Sequence, residues 1–194
     1  MDHFEVFGLP RRLVIDEADL QRRFYELSRR HHPDFHQGDS PDEQADSLTT
    51  SARVNAAYRA LRDPIRRVEY LVRLEGGGEA KDETTRAKVP AGLLAEMFEI
   101  QEALQEARAG ELDEAGRAAL REQLARLQSR QQEEEARLRG PLSEAWDGST
   151  AEARPRILAA CAEALATRAY LRTVIEDLAQ ALGEGQEHVA HHRH

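Results

Sequence analysis

Apolar positions recur along this chain with the three- and four-residue spacing of helices that bury one face. In the first 75 residues this pattern predicts four helices. A short one lies in DHFEVFGLP and ends at Gly8, and a longer one runs from about residue 17 to 31 with Asp16 as its N-cap. A third covers about residues 42 to 62, and IRRVEYLVRL supplies the fourth after Asp63-Pro64.

The second half contains three further helical patterns and no strand pattern. They cover about residues 93 to 107, 112 to 146 and 154 to 182, and Gly140-Pro141 is expected to kink or interrupt the second. Each pattern has a single apolar stripe, so each helix needs the others to bury it. The sequence therefore predicts an all-α fold whose second half is an antiparallel three-helix bundle.

A glycine-rich segment separates the two halves. Residues 76 to 92, GGGEAKDETTRAKVPAG, combine three consecutive glycines and Pro90 with no apolar periodicity, which is typical of a linker. We expect residues 1–75 and 93–182 to form separate domains. After Gly183 and Gly185, residues 183–194 are predicted to form a flexible tail.

Composition narrows the function classes. The 194 residues carry 27 Lys and Arg and 36 Asp and Glu, a net charge of −9, and this disfavours general nucleic-acid binding because phosphate affinity comes from basic side chains. No apolar run approaches the roughly 18 residues of a membrane span, and MDHFEVFGLP lacks the features of a secretory signal. We therefore expect a cytoplasmic protein that binds neither nucleic acid nor membranes. The single cysteine, Cys161, aligns with an apolar stripe and is predicted to be buried.

The second helix and the loop after it carry the first candidate site. Four arginines lie on the side of this helix away from its apolar stripe: Arg22, Arg23, Arg29 and Arg30. The loop follows as HHPDFHQGDSPD, in which Pro33 restricts its own backbone and that of His32. His32 and Asp34 are therefore presented from a stiff corner beside a basic helix face.

An alternative assigns the same loop to metal binding. His31, His32, Asp34 and His36 offer imidazole and carboxylate ligands. A loop that contains a proline is a poor scaffold for closed coordination, and no HExxH-like helical spacing accompanies it. We therefore predict no metal site, and a metal-dependent enzyme is the less favoured alternative.

The His-Pro-Asp loop between these two helices resembles the hallmark of J-domains. The resemblance covers residues 1 to 75 and includes DHFEVFGLP, the arginine-rich helix, the loop, VNAAYRALRDP and RRVEYL. It implies that His32, Pro33, Asp34 and the four arginines bind a DnaK-type 70-kDa heat-shock chaperone and stimulate its ATP hydrolysis. The chemistry then belongs to the partner, so we predict that this chain is not an enzyme and has no catalytic residues and no cofactor.

A second candidate site lies on the first helix of the predicted bundle. The core stripe of this helix leaves Leu94, Ala95 and Phe98 on the flank, edged by Glu99, Glu102 and Glu106. An apolar patch with an acidic rim is typical of a modest protein-protein site. Tyr170 lies off the stripe of the last helix and completes the patch if the two helices are adjacent. The alternative is that Leu94 and Phe98 pack as core beneath a neighbouring helix.

The second half resembles the C-terminal domain of the HscB (Jac-type) iron-sulfur cluster co-chaperones. The resemblance rests on LLAEMFEIQEALQEA and ATRAYLRTVIEDL. It implies that an IscU-like scaffold protein, delivered to an HscA-type chaperone, binds Leu94, Phe98, Glu99, Glu102, Glu106 and Tyr170, with Ala95 where the family usually has a larger apolar side chain. The alternative function is a J-domain adaptor that delivers a different client to a general DnaK-type chaperone. A purely structural coiled coil is least favoured, because the apolar patterns never sustain four clean heptads.

Overall fold

A computed structural model describes residues 1–32, 38, 40–76, 94–109 and 113–183, and for residues 94–97 and 106–109 it describes the backbone alone. These residues form eight helices and no strand, which confirms the predicted all-α fold. In chain order the helices are α1 (His3–Val6), α2 (Glu17–Arg30), α3 (Pro41–Leu61), α4 (Pro64–Glu75), α5 (Leu94–Ala109), α6 (Glu114–Arg139), α7 (Pro141–Asp147) and α8 (Arg154–Ala181).

Capping residues explain where the helices of the first half begin. The Asp16 carboxylate accepts hydrogen bonds from the backbone N–H groups of Ala18 and Asp19 at 2.9 and 3.1 Å, which confirms the predicted N-cap of α2. Asp63 caps α4 in the same way, and Pro64 occupies a first-turn position where its missing N–H costs no hydrogen bond. These side chains satisfy donors that the helices themselves leave unpaired, so the local sequence fixes the start of each helix.

Packing divides the chain into two compact units, and each unit is built from two separate stretches of the sequence. The first unit is Met1–Ala80 with Leu138–Cys161, and the second is Lys81–Arg137 with Ala162–His194. In the first unit the Phe24 ring stacks on the Tyr58 ring with centroids 4.0 Å apart and so joins α2 to α3. The buried core of this unit includes Phe4, Leu20, Val54, Ala57, Leu61, Val68 and Leu71.

The second unit has the core expected of a three-helix bundle. The members of this core come from α5, α6 and α8, and they are Ile100, Leu104, Leu120, Leu124, Leu127, Leu171, Val174 and Leu178. Val174 is buried in this core, whereas the neighbouring Ile175 is only partly buried against it. The apolar spacing therefore identified the three helices correctly, and Leu171 and Leu178 are buried in α8 as their spacing requires.

The predicted interruption at Gly140-Pro141 is confirmed, because two separate helices meet there. Because Pro141 has no N–H to continue the helix, α6 ends at Arg139, and the Ser143 hydroxyl donates to the Leu138 carbonyl at 2.5 Å. Leu138, next to the end of α6, is fully buried and belongs to the first unit. Trp146 of α7, 2% exposed, is buried in that unit as well.

The predicted linker after Gly76 and the predicted tail after Gly183 lie outside the described residues. The domain boundary at residues 76 to 92 therefore stays a prediction. The sequence analysis did not anticipate that Leu138–Cys161 packs with the first unit. Among the helices described, none combines the length and apolar character needed to cross a membrane.

Candidate functional site

Helix α2 presents a basic side to solvent. Leu20, 1% exposed, fixes the rotation of α2 against the core of the first unit. Arg22, Arg29 and Arg30 are exposed as a result, and Arg22 forms an ion pair with Asp19 one turn away. Exposed ion pairs within a helix contribute little to stability. Arg22 can therefore exchange this carboxylate for that of a partner at small cost.

Arg23 has a different environment from the other three arginines. Its Nε donates to the Asp19 carboxylate and its Nη1 donates to the Phe7 carbonyl, both at 2.8 Å. Phe7 is the C-cap residue that follows α1, so the Arg23 side chain holds α2 against the end of α1. Arg23 therefore supports the fold of the first unit, whatever further contact it makes with a partner.

The structure adds Tyr25 to this surface. Its side chain is 61% exposed although it is a large aromatic residue, and it lies beside Phe24, whose ring is 5.7 Å away. Exposed aromatic residues are enriched where proteins bind one another. The sequence contained a signal for Tyr25, because the residue falls outside the apolar stripe and three positions after Arg22.

The loop after α2 is anchored to α3 where it begins. The Ser47 hydroxyl, on a residue 5% exposed, donates to the His31 carbonyl at 3.1 Å. His32 follows and is exposed at the end of the basic helix, as predicted from the sequence. Pro33 and Asp34 lie outside the described residues.

The metal alternative gains no support from the residues that can be described. Asp34 and His36, two of its four ligands, lie outside them. In the described ranges, no group of three or more His, Cys, Asp or Glu side chains is placed to hold a metal ion. Cys161 is 1% exposed, and burial raises the pKa of its thiol, so its predicted burial is confirmed.

Helix α5 carries the second candidate site. Ile100 and Leu104, each 3% exposed, turn one face of α5 into the bundle core. On the opposite face Phe98 is 71% exposed, and Glu99 and Glu102 beside it are exposed as well. The alternative that Phe98 is a core residue is therefore wrong.

The remaining members of the predicted patch have mixed outcomes. Leu94 and Ala95 lie in the first turn of α5 and Glu106 lies near its end, but their side chains are outside the described set. Tyr170 is partly buried and packs against the bundle core that includes Ile100. The hydroxyl of Tyr170 is buried, so this side chain mainly stabilises the bundle and is only partly accessible to a partner.

Comparison with known proteins finds a matching domain family and several similar proteins. Residues 2–70 match the DnaJ domain family. The co-chaperone HscB homologue of Bordetella pertussis is 38% identical over 132 residues, which are 68% of this chain and 75% of that protein. The HscB co-chaperone of Proteus mirabilis is 36% identical over 85 residues, covering 44% of this chain and 49% of the relative.

Two solved structures extend the similarity to most of the chain. The chaperone HscB from Vibrio cholerae has a TM-score of 0.59 at 25% identity and covers 93% of this chain and 96% of its own. The human co-chaperone HscB has a TM-score of 0.63 at 27% identity and covers 93% of this chain and 81% of its own. The similarity therefore includes the second half as well as the DnaJ domain.

Proposed function

The chain belongs to the HscB family of co-chaperones and carries a DnaJ domain, and on that premise we propose that it works in iron-sulfur cluster assembly by bringing two proteins together. One partner is an IscU-like scaffold protein, bound by the second unit. The other is an HscA- or DnaK-type chaperone, bound by the first unit and stimulated in its ATP hydrolysis. The ATPase chemistry resides in that chaperone, and we place the process in the cytoplasm.

The chaperone-binding surface consists of Arg22, Arg29, Arg30, Tyr25 and the His32-Pro33-Asp34 corner. Arginine binds carboxylates with a planar, forked guanidinium, so three exposed arginines suit an acidic partner surface. Tyr25 adds an apolar contact that the arginines lack. Arg23 contributes mainly by holding α2 in place through the Phe7 carbonyl.

The observation that carries the scaffold-binding proposal is the exposure of Phe98. A phenylalanine that is 71% exposed adds little to the bundle core, while Ile100 and Leu104 already anchor α5. Glu99 and Glu102 provide a polar rim, which is the common anatomy of a protein interface around an aromatic anchor. Leu94, Ala95, Glu106 and the accessible part of Tyr170 extend this surface in the proposal.

The test separates the two binding functions by substituting the loop aspartate. Asp34→Asn should abolish stimulation of the chaperone ATPase, because the amide is neutral, and should leave scaffold affinity unchanged. Asp46→Asn removes an exposed carboxylate from α3 and is the matched control, with both activities intact. Full stimulation by the Asp34→Asn protein would contradict the proposed mechanism. Normal stimulation without scaffold binding by the unmodified chain would instead favour delivery of a different client.

A further inference from the structure

The loop between α1 and α2 is held by hydrogen bonds from a segment far away in the sequence. Asp147 accepts from the Leu13 N–H at 2.8 Å through Oδ1 and from the Val14 N–H at 2.9 Å through Oδ2. The indole Nε1 of Trp146 donates to the Arg11 carbonyl at 3.1 Å. These groups all belong to the first unit. Two residues at the end of α7 therefore hydrogen-bond the main chain of the loop that leads into α2.

Arg67 of α4 is buried beneath the same loop. It is 3% exposed, and it donates to the Leu61 carbonyl at 2.7 Å and to the Leu13 carbonyl at 2.5 Å. Within the described ranges, no carboxylate forms an ion pair with Arg67, and its Nη2 has no hydrogen-bond partner. A buried cation without a compensating charge is costly, so the charges that surround Arg67 determine how well this unit tolerates it.

Three carboxylates contribute to the charge around Arg67, and they differ in burial. Burial lowers the pKa of Arg67, while Glu17, Asp63 and then Asp147 raise it. Glu17 is exposed and Asp63 is half-buried, so water screens their attraction. The Asp147 side chain is only 5% exposed and is screened far less. Asp147 contributes the least of the three to the pKa of Arg67, but it is the one carboxylate of the three whose charge is largely shielded from water.

Leu13 connects the two buried charges. Its N–H group points to the Asp147 carboxylate and its carbonyl accepts from the Arg67 guanidinium, so each charged group satisfies one polar group of the same residue. Asp147 also forms an ion pair with Arg12 at 3.6 Å, whose side chain is 58% exposed. Water can solvate Arg12 if the carboxylate is lost, whereas Arg67 is 3% exposed and has no such compensation.

We propose that Asp147 is the buried counter-charge of Arg67, acting through the main chain of Leu13, and that the chaperone-binding unit is complete only with the α7 segment of the second half. Loss of the Asp147 charge removes the least screened of the carboxylates that compensate Arg67 and destabilises α4 together with the loop before α2. This inference goes beyond the proposed function, because it requires neither the chaperone nor the scaffold protein.

A double-mutant cycle on the full chain tests the coupling. Asp147→Asn should raise the equilibrium constant of unfolding about ten- to hundredfold in the wild-type background, measured by urea denaturation. In the Arg67→Met background the same substitution should raise the equilibrium constant of unfolding by a factor at least about five times smaller, because no buried cation then needs compensation. Glu17→Gln is the matched control, and its effect should be the same in both backgrounds within about twofold. Equal effects of Asp147→Asn in both backgrounds, or coupling as strong for Glu17→Gln, would overturn the proposal.

Hydrogen exchange gives a second test that does not depend on the Arg67→Met protein folding. In the Asp147→Asn protein the amides of Val68 and Leu71 in α4 should exchange at least about tenfold faster, because their neighbour Arg67 has lost its counter-charge. Faster exchange confined to Leu13 and Val14 would show that Asp147 acts only as a local hydrogen-bond acceptor, and the proposal would then be wrong.

Discussion

Truncation of Phe98 to alanine should weaken scaffold binding without destabilising the bundle. A phenylalanine side chain can bury about 150 to 250 Å², and 71% of Phe98 is still exposed. About 140 Å² is thus available to a partner, worth at most about 3.5 kcal/mol at roughly 25 cal/mol per Å². Since alanine retains Cβ and a partner covers only part of the ring, we expect a loss of about 1 to 3 kcal/mol, or about 5- to 150-fold in affinity.

Titration calorimetry with an IscU-like scaffold protein measures this loss, and urea denaturation of the same variant measures stability. The free energy of unfolding should change by less than about 0.5 kcal/mol, because Phe98 lies on the exposed side of α5. Leu48→Ala is the matched control, since Leu48 is a 56% exposed apolar residue of α3 in the first unit, and it should leave scaffold affinity unchanged. Unchanged affinity of the Phe98→Ala protein would refute the reasoning. A large loss of stability would return Phe98 to the core.

Three further predictions follow from particular contacts. Trp146→Phe should lower the free energy of unfolding by about 1 to 3 kcal/mol in urea denaturation, because it leaves the Arg11 carbonyl without its donor; an unchanged midpoint would contradict this. Burial first, and then the charge of Arg73, lower the pKa of His3 below its ordinary 6.5, so the folded state favours neutral His3 and stability should fall as the pH drops below about 6.5. In thermal melts His3→Gln should remove part of that fall, and an identical pH profile would show that His3 has no such role. Arg22→Gln should weaken chaperone binding and reduce its salt dependence, whereas equal salt dependence would exclude Arg22 from the interface.

The helices themselves could be predicted from local patterns. Asp16 precedes the apolar spacing that predicts α2, and the helix begins at the next residue, Glu17, as expected for an N-cap. The apolar stripes of α5, α6 and α8 are likewise local, and they do form one core. What one stripe cannot show is which partner buries it. Leu138 still lies within α6, yet it belongs to the other unit.

The candidate sites show the same limit. The exposure of Phe98 was accessible to sequence analysis, because its angular position is opposite to that of Ile100 and Leu104. The role of Arg23 was not accessible, because its partner is the carbonyl of Phe7, and a backbone acceptor leaves no trace in the residue types. The contact between Asp147 and Leu13 is hidden for the same reason, since 134 positions separate them and one partner is a main-chain group.

The central claim is that this chain couples a scaffold protein to a chaperone, and steady-state ATP hydrolysis by an HscA-type chaperone tests it most directly. The rate is measured with the scaffold alone, with this chain alone and with both. The account predicts that both together stimulate hydrolysis well beyond the sum of the separate effects, and that Phe98→Ala reduces this excess while Leu48→Ala preserves it. Stimulation that is merely additive, with the wild-type chain and saturating scaffold, would contradict the account.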